Sequence, residues 1–419
     1  METTNSTLQW RSASLKRMQV TTLSMLVVAG LINNLDRSAL AIANPLISQE
    51  LSLSPAQMGV LLSAFSLIYA CSQLPVGLLL DRVGARLVLG WGLIIWSSAQ
   101  ASCGLANSFT QLLIGRAVLG VGESPHYPAS AKAVSEWFDK EKRGGPTGLF
   151  LIAGTVAPAL APPLLTFMML TMGWRGMFIV LGVLGIALGC AWLSFYRNRD
   201  QLSHLLPEAS AQKSQPINFK EWLGLFRSLN TWAMIFGSAG VIYTIWLFMS
   251  WLPVYLQMER HVSIAAAGWM AAIPYALGTV GQLSCGFLMD ALARRGFSIS
   301  ASRKIPVCGG LVGAGIATLV AAYTPSLTVS LIAISMSMFF IYFANVGTWA
   351  MVGVMVDTRF VASMGSLLTF GGYLGGSAAP IVTGVLVEQT SSFSLALSIS
   401  SILAFASAVI YGVALKMKN

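Results

Sequence analysis

Apolar residues run along this chain in long blocks separated by short polar segments, without the alternation of faces that marks a soluble domain. A block of roughly 20 residues is what a helix needs to cross ~30 Å of hydrocarbon. Twelve such blocks can be read, at about 20–46, 57–80, 87–106, 109–137, 146–171, 174–195, 230–256, 265–292, 305–323, 326–356, 362–387 and 393–415. The pattern predicts an all-α membrane protein with twelve transmembrane helices. The first block, from near Met18 to about Ile47, is too long for a secretory signal and lacks a small-residue cleavage site, so it reads as a retained helix.

Composition supports this picture. Hydrophobic residues make up 55% of the 419 and charged residues only 10%, with a mean hydropathy of +0.72. So thin a polar shell cannot cover a soluble core, so lipid must solvate most of the surface. Forty glycines and sixteen prolines suit close helix contact in lipid, where neighbouring groups satisfy the carbonyls that proline frees. The five cysteines (Cys71, Cys103, Cys190, Cys285 and Cys308) lie in apolar runs without metal-ligand spacing. They read as buried free thiols.

The net charge of +10 is spread over short loops, and topology explains it better than a nucleic-acid partner. With the N-terminus inside, twenty Lys and Arg residues fall in inner segments, among them Arg82, Arg86, Arg143, Arg295 and Lys304, while only Arg175 and Arg260 fall outside. An even number of crossings with both termini cytoplasmic gives that asymmetry, and a bacterial inner membrane is the expected location. The polar stretch "YRNRDQLSHLLPEASAQKSQPINFKEWLGLFRSL" divides the chain into a six-helix half at 1–195, a cytoplasmic linker at 196–229 with "FKEWLGLF" as an interfacial helix, and a second six-helix half at 230–419. "GLLLDRVGARL" and "GFLMDALARRG" repeat one another, Gly77 aligning with Gly286 and Asp81 with Asp290. Repeated halves around a midplane site are a transporter architecture.

Those repeated residues resemble the G-x-L-x-D-R-x-G-R signature of the major facilitator superfamily. "NNLDRSALAIANPLI", "GRAVLGVGESPHYPASAKAVSEWF", "WLPVYLQMERHVSIAAAGWMAAIPY", "RRGFSISASRKIPV" and "FGGYLGGSAAPIVTGVLV" are similar to its anion:cation symporter family, which includes galactonate, glucarate and hexuronate transporters. The resemblance covers nearly the whole chain. It implies two pseudo-symmetric six-helix bundles rocking about a site lined by the first, fourth, seventh and tenth helices.

The candidate chemistry is a set of charges inside two spans. "GLINNLDRSALAIANPL" holds Asp36 and Arg37, and the fourth span holds Arg116 and Glu123. Inserting four such charges costs roughly 10–14 kcal/mol. From the outer end, Asp36 lies about 15 Å deep, Arg116 about 10 Å and Glu123 about 21 Å. Arg116 and Glu123, seven residues apart, share a helix face. Opposite charges in one band offset one another's desolvation, either as a static ion-pair network or as a site for an organic anion and protons. A carboxyl group in low dielectric exchanges its proton near neutral pH, and an arginine fork suits a carboxylate. The resemblance implies that Asp36 and Glu123 carry protons and that Arg37 and Arg116 lie near the bound anion.

Other positions are less decided. Tyr69 matches a pocket tyrosine of the family and reads equally as a core aromatic. His126 is either a further titratable group or a hydrogen-bonded packing residue. Tyr243, Trp246 and Trp251 of the seventh span, and Tyr342, Asn345 and Trp349 of the tenth, are candidate pocket liners, with Tyr243 and Asn345 preferred. The signature residues Gly77, Asp81, Arg82, Gly84 and Arg86, with Asp290 in the second copy, read as a conformational latch between bundles. Lys132, able to snorkel to headgroups, is assigned no site.

Two departures bear on substrate. Sugar-acid members often carry Gln in the fifth helix, where this chain has "FLIAGTVAP", and Asn in the eleventh, where it has Thr369. Each loss removes an amide that binds hydroxyls. The leading expectation is a proton-coupled importer of a small organic anion: a sugar acid such as an aldonate, hexuronate or aldarate, or another small carboxylate. Alternatives are an importer of aromatic carboxylates, a drug or metabolite proton antiporter, and a transporter-like nutrient sensor. No nucleophile–base set, metal cluster or phosphate loop is present, and "LGVGES" lacks a preceding strand, so neither an enzyme nor a bound cofactor or metal is expected. The partners expected are the anion, protons and the bilayer, with the chain acting as a monomer.

Overall fold

The computed structural model describes residues 2–138, 144–197, 219–355 and 361–416. Thirteen α-helices follow in order: α1 (Glu2–Glu50), α2 (Pro55–Val83), α3 (Ala85–Cys103), α4 (Phe109–Glu123), α5 (His126–Trp137), α6 (Gly144–Phe195), α7 (Phe219–Gly224), α8 (Leu229–Met258), α9 (Ile264–Arg294), α10 (Ile299–Tyr323), α11 (Leu327–Met355), α12 (Val361–Thr390) and α13 (Ser394–Val409). There is no strand among the described residues.

Ten stretches are long and apolar enough to cross a membrane as single helices. The sequence blocks at 146–171 and 174–195 merge into α6, but Gly173 at φ 74° interrupts it. That left-handed conformation turns the chain at a residue with no Cβ to oppose it, so α6 is two crossings. The fourth block is also one crossing, in two pieces, α4 and α5, which makes twelve. Serine N-caps open several helices: Ser108, Ser263 and Ser298 accept from the backbone N–H three residues on, satisfying an otherwise orphaned donor. Between α2 and α3 the chain turns at Gly84, φ 86°. The expected interfacial helix is present as α7, while 198–218 of the linker lies outside the described residues. Cys71 and Cys190 are exposed, unlike the buried thiols expected, whereas Cys103 and Cys285 are buried.

The chain divides into two compact units. The first comprises Met1–Ala39, Ile68–Ala157 and Thr171–Lys213, and the second Leu40–Leu67, Pro158–Leu170 and Ser214–Asn419. In lipid, apolar surface gives helices little reason to associate, so close backbone approach and interhelical hydrogen bonds do the work. In the first unit a Cβ on Gly122 of α4 would come within 2.7 Å of the Trp96 backbone of α3, and one on Gly182 of α6 within 2.5 Å of the Ser97 carbonyl. Helices α3, α4 and α6 are therefore in backbone contact around the middle of α3.

The second unit uses the same device with more hydroxyl groups. Gly371 and Gly375 of α12 lie on the backbone of Ile235 and Ala239 in α8. Thr318 bonds Ser337 at 2.7 Å and Ser400 donates to Thr244 at 2.9 Å. The start of α2 belongs to this unit. Gly59 lies against the Pro380 carbonyl, Ala56 N–H donates to Glu388 at 2.9 Å, and Phe65 stacks on Trp246 with centroids 6.1 Å apart.

Candidate functional site

The site is built on the break between α4 and α5. Pro125 has no N–H for the Val121 carbonyl, and Pro128 none for that of Ser124. Val121 instead accepts from the N–H and hydroxyl of its neighbour Ser124, at 3.3 and 2.8 Å. The Ser124 carbonyl accepts from the Gln73 side chain of α2 at 3.2 Å. Non-helical backbone is tolerated at membrane depth when protein groups resatisfy it in this way. The break places Glu123 at the last position of one helix and His126 at the first of the next.

Five expected site residues converge here, within the first unit: Asp36, Arg37, Tyr69, Arg116 and Glu123. Arg37 Nε donates to Glu123 Oε2 at 2.7 Å, with Glu123 fully buried. The Arg37 guanidinium lies over the Tyr69 ring, 4.8 Å from its centroid, a cation–π contact strengthened by exclusion of water. Arg116, 1% exposed, reaches from α4 to the backbone carbonyl of Asp36 at 3.4 Å. Tyr69 thus belongs to the charged cluster and is also one of the largest fully buried side chains.

Asp36 departs from the simplest expectation. The two carboxylates do not each take an arginine. Glu123 pairs with Arg37, while both Asp36 carboxyl oxygens are fully buried and accept no hydrogen bond. The Trp96 indole borders this carboxyl without closing a bond to it. The Asn33 amide likewise borders Glu123 without bonding its second oxygen. A buried charge without a partner costs several kcal/mol, so a neutral acid fits the Asp36 surroundings better than an anion. The arrangement can hold one carboxylate as an ion pair and one as an acid, and exchange these roles when an arginine is drawn away.

His126 is fully buried, and neither ring nitrogen has a partner. It meets Trp96 edge to face at 6.1 Å, and Gly30 of α1 leaves room for its Nε2. The hydrogen-bonded packing role is therefore not what the structure contains. Among the described residues no three His, Cys, Asp or Glu side chains converge as metal ligands would.

The latch residues are distributed differently. The Gly77 and Asp81 side-chain positions lie outside the described residues. Arg82 is exposed. Arg86 donates twice to the Leu193 carbonyl at the end of α6, at 3.1 and 2.7 Å, a contact inside the first unit. Asp290 is exposed on α9. Lys132, assigned no role from sequence, donates to the Leu80 carbonyl at 2.6 Å. The Leu80 carbonyl also accepts the Gly84 N–H at 3.0 Å, and the partial negative charge of a helix C-terminus draws the ammonium of α5 to the end of α2.

The candidates from the second half of the chain lie in the second unit. Tyr243 is 3% exposed, and its hydroxyl has no hydrogen-bond partner. Asn345 is half-buried on α11, and Thr369 gives its hydroxyl to the Gly365 carbonyl one turn back, at 2.9 Å. Trp246 stacks on Phe65, Trp251 donates to the Pro380 carbonyl at 3.2 Å, and Trp349 is half exposed beside Gly365. Gln73, Asn33 and Trp96 escaped the sequence reading. Only an uncharged polar or amphipathic residue in an apolar run marks them there, and that mark is too common to single them out.

The chain matches the Major Facilitator Superfamily over residues 26–380. It is 41% identical over 408 residues to the "Probable L-galactonate transporter" of Escherichia coli K12, covering 96% of this chain and 90% of that protein. It is 30% identical over 413 residues to the "D-galactonate transporter" of E. coli O6:H1, covering 94% and 95%. A crystal structure of a bacterial homologue of the human lysosomal transporter Spinster, inward-facing and occupied, superposes with a TM-score of 0.81 at 20% identity, over 95% of this chain and 97% of that one. At that identity the likeness concerns the fold alone.

Proposed function

Because the chain belongs to the Major Facilitator Superfamily, we propose that it is a proton-coupled symporter importing a sugar acid, an aldonate such as galactonate, by alternating access. In this reading it lies in a bacterial inner membrane with both termini cytoplasmic and works as a monomer. The halves 1–195 and 230–419 are the rocking bundles, with Asp81, Arg82, Arg86 and Asp290 at the cytoplasmic latch. The observation that carries the reading is the buried Arg37–Glu123 pair beside a buried Asp36 carboxyl without a partner. The likeness to galactonate transporters supports the substrate class.

The chemistry follows from competition. A substrate carboxylate seeks the Arg37 and Arg116 guanidinium groups, which present forks that suit it. Glu123 then loses Arg37 and is left as an unpaired buried carboxylate. Taking up a proton removes that cost. Anion and proton binding favour one another by linkage, and the loaded site carries less net charge into the closed state. The contact of α2 with α12 through Gly59, Pro380 and Glu388 acts as the outer gate.

A second reading, an aromatic or short aliphatic carboxylate, draws on one observation. Thr369, standing where an amide would contact hydroxyls, spends its own hydroxyl on Gly365. Uptake of labelled galactonate into proteoliposomes, with and without an inward proton gradient, tests the first reading against a panel of aromatic acids. Galactonate should be concentrated only with the gradient. Glu123→Gln should keep counterflow but lose accumulation, and Arg116→Lys, which keeps charge but loses the fork, should lose substrate-induced thermal stabilisation. Gradient-driven accumulation by both Glu123→Gln and Asp36→Asn would mean that these carboxylates are structural.

A further inference from the structure

Helix α3 carries a polar side chain that the transport chemistry above does not use. Gln100 is fully buried, and neither its amide nitrogen nor its carbonyl oxygen has a hydrogen-bond partner. Burying an unsatisfied amide costs about 1–3 kcal/mol, which calls for a group that meets it in some state of the protein. Trp96, Gln100 and Cys103 stand at i, i+4 and i+7 and so share one face of the helix. That face lies on α4, Trp96 against Gly122 and Cys103 against Gly115. It also faces α1, because Trp96 borders the Asp36 carboxyl and Cys103 interacts with both Asp36 and Arg116. Gln100 sits between these two, one turn from each, which puts it at the level of Asp36.

We propose that the Gln100 amide is the partner of Asp36 in its protonated form, a positioning residue that holds the acid when the arginines are engaged elsewhere. The two groups match. A carboxylic acid has one donor and one acceptor, and so does the edge of a primary amide, so they close two hydrogen bonds side by side. The carboxylate has only acceptors and takes one bond from the amide, with the amide carbonyl facing it unfavourably. Gln100 therefore favours the acid over the anion, whereas the Trp96 N–H, a donor only, does not select the acid. The charged and titratable groups facing Asp36 are Arg116 and Glu123 from α4, Cys103 from α3 and Arg37 from its own helix. All of these act on Asp36 as charges or weak acids, and Gln100 alone selects by hydrogen-bond pattern. This deepens the symport reading and rests on it for the cycle in which Asp36 gains and loses its proton.

Infrared difference spectroscopy of the purified protein in detergent tests the pairing without substrate. A pH titration follows the protonated-carboxyl stretch that Asp36→Asn removes. In Gln100→Leu that band should move to higher frequency, as a carbonyl freed from hydrogen bonds does, and its midpoint should move about one pH unit to acid, tenfold in the protonation constant. Gln100→Met, also apolar and of similar volume, should reproduce both changes if the leucine variant folds poorly. Gradient-driven galactonate uptake should follow the same acid shift. An unmoved or alkaline-shifted midpoint overturns the proposal, as does the absence of any band that Asp36→Asn removes. Should the infrared shift appear while the wild-type protein fails to transport galactonate, the pairing stands and the substrate reading falls.

Discussion

The two units bury different kinds of polar group. Among the described residues, Asp36, Arg37, Arg116, Glu123 and His126 are all buried in the first unit, whereas the second buries serines, threonines and Asn44 but no charge. The difference lies in how each group is satisfied. Thr244, Thr318 and Thr369 give their hydroxyls to the carbonyl four residues back on their own helix, at 3.2, 2.8 and 2.9 Å. A hydroxyl therefore crosses lipid at little cost and needs no other helix. A guanidinium or carboxylate has no such local solution. Arg37 must find Glu123, eighty-six residues away, and the break at Pro125 must present it. Hydroxyls in the second unit fix helix contacts, while charges in the first pair between α1 and α4.

The sharpest way to break this comparison is to remove one partner from each kind of contact. Arg37→Leu leaves Glu123 buried and unpaired and should destabilise the protein by roughly 3–5 kcal/mol. The double variant Arg37→Leu with Glu123→Leu should recover most of that loss, because an apolar pair of similar volume has no charge to desolvate. Thr318→Val in the second unit removes a bond to Ser337 and should cost about 1 kcal/mol. Denaturant unfolding in detergent micelles measures all three. Equal losses at Arg37 and Thr318 would erase the distinction.

Gln73 tests the support beneath the charged cluster. Gln73→Leu orphans the Ser124 carbonyl, with an expected cost of about 1–3 kcal/mol. Its larger effect should be on function, since the break then loses the bond that fixes the end of α4. Substrate-induced thermal stabilisation should weaken several-fold in this variant while Lys132→Met, removed from the cluster, leaves it unchanged.

Much of this was legible in the sequence, for physical reasons. The twelve crossings follow from block length alone, and α8 at Leu229–Met258 and α9 at Ile264–Arg294 end within a few residues of the polar punctuation. The convergence of Arg37 with Glu123 follows from depth, because charges in one band of a membrane must seek one another. Which carboxylate takes which arginine was not legible, since Asp36 and Glu123 lie at comparable depth and rotation about the helix axis decides. The break at Pro125 lies inside a block that reads as one continuous crossing, 109–137, and the side chain that repairs it comes from α2, through a contact that no spacing reveals. The partner of Lys132 was not legible for a related reason. The lysine's reach to headgroups and its reach to the Leu80 carbonyl are the same length, and only the position of α2 distinguishes them.

The smallest expected effect concerns the one carboxylate of the second unit with a backbone partner at the start of α2. Glu388 is solvent-exposed and accepts the Ala56 N–H in the first turn of that helix, where unsatisfied donors and the helix dipole favour negative charge. It is the counterpart of Glu123: one carboxylate is buried and held by a guanidinium, the other exposed and held by a helix terminus. Glu388→Gln keeps a carbonyl acceptor but loses the charge. The contact should loosen modestly, and less at high salt, where exposed charges are screened. Spin labels at Gln57→Cys and Thr390→Cys in a background free of other cysteines report the separation of α2 from α12. Glu388→Gln should add a minor long-distance population whose excess over the wild type shrinks in 1 M salt, because salt screens the wild-type charge. Gly59→Val, whose new Cβ would lie 2.5 Å from the Pro380 carbonyl, should make the long distance dominant at any salt. If the glutamine variant opens the contact as fully as the valine variant, charge and not close backbone packing holds this end of the second unit together, and the contrast between the units disappears there.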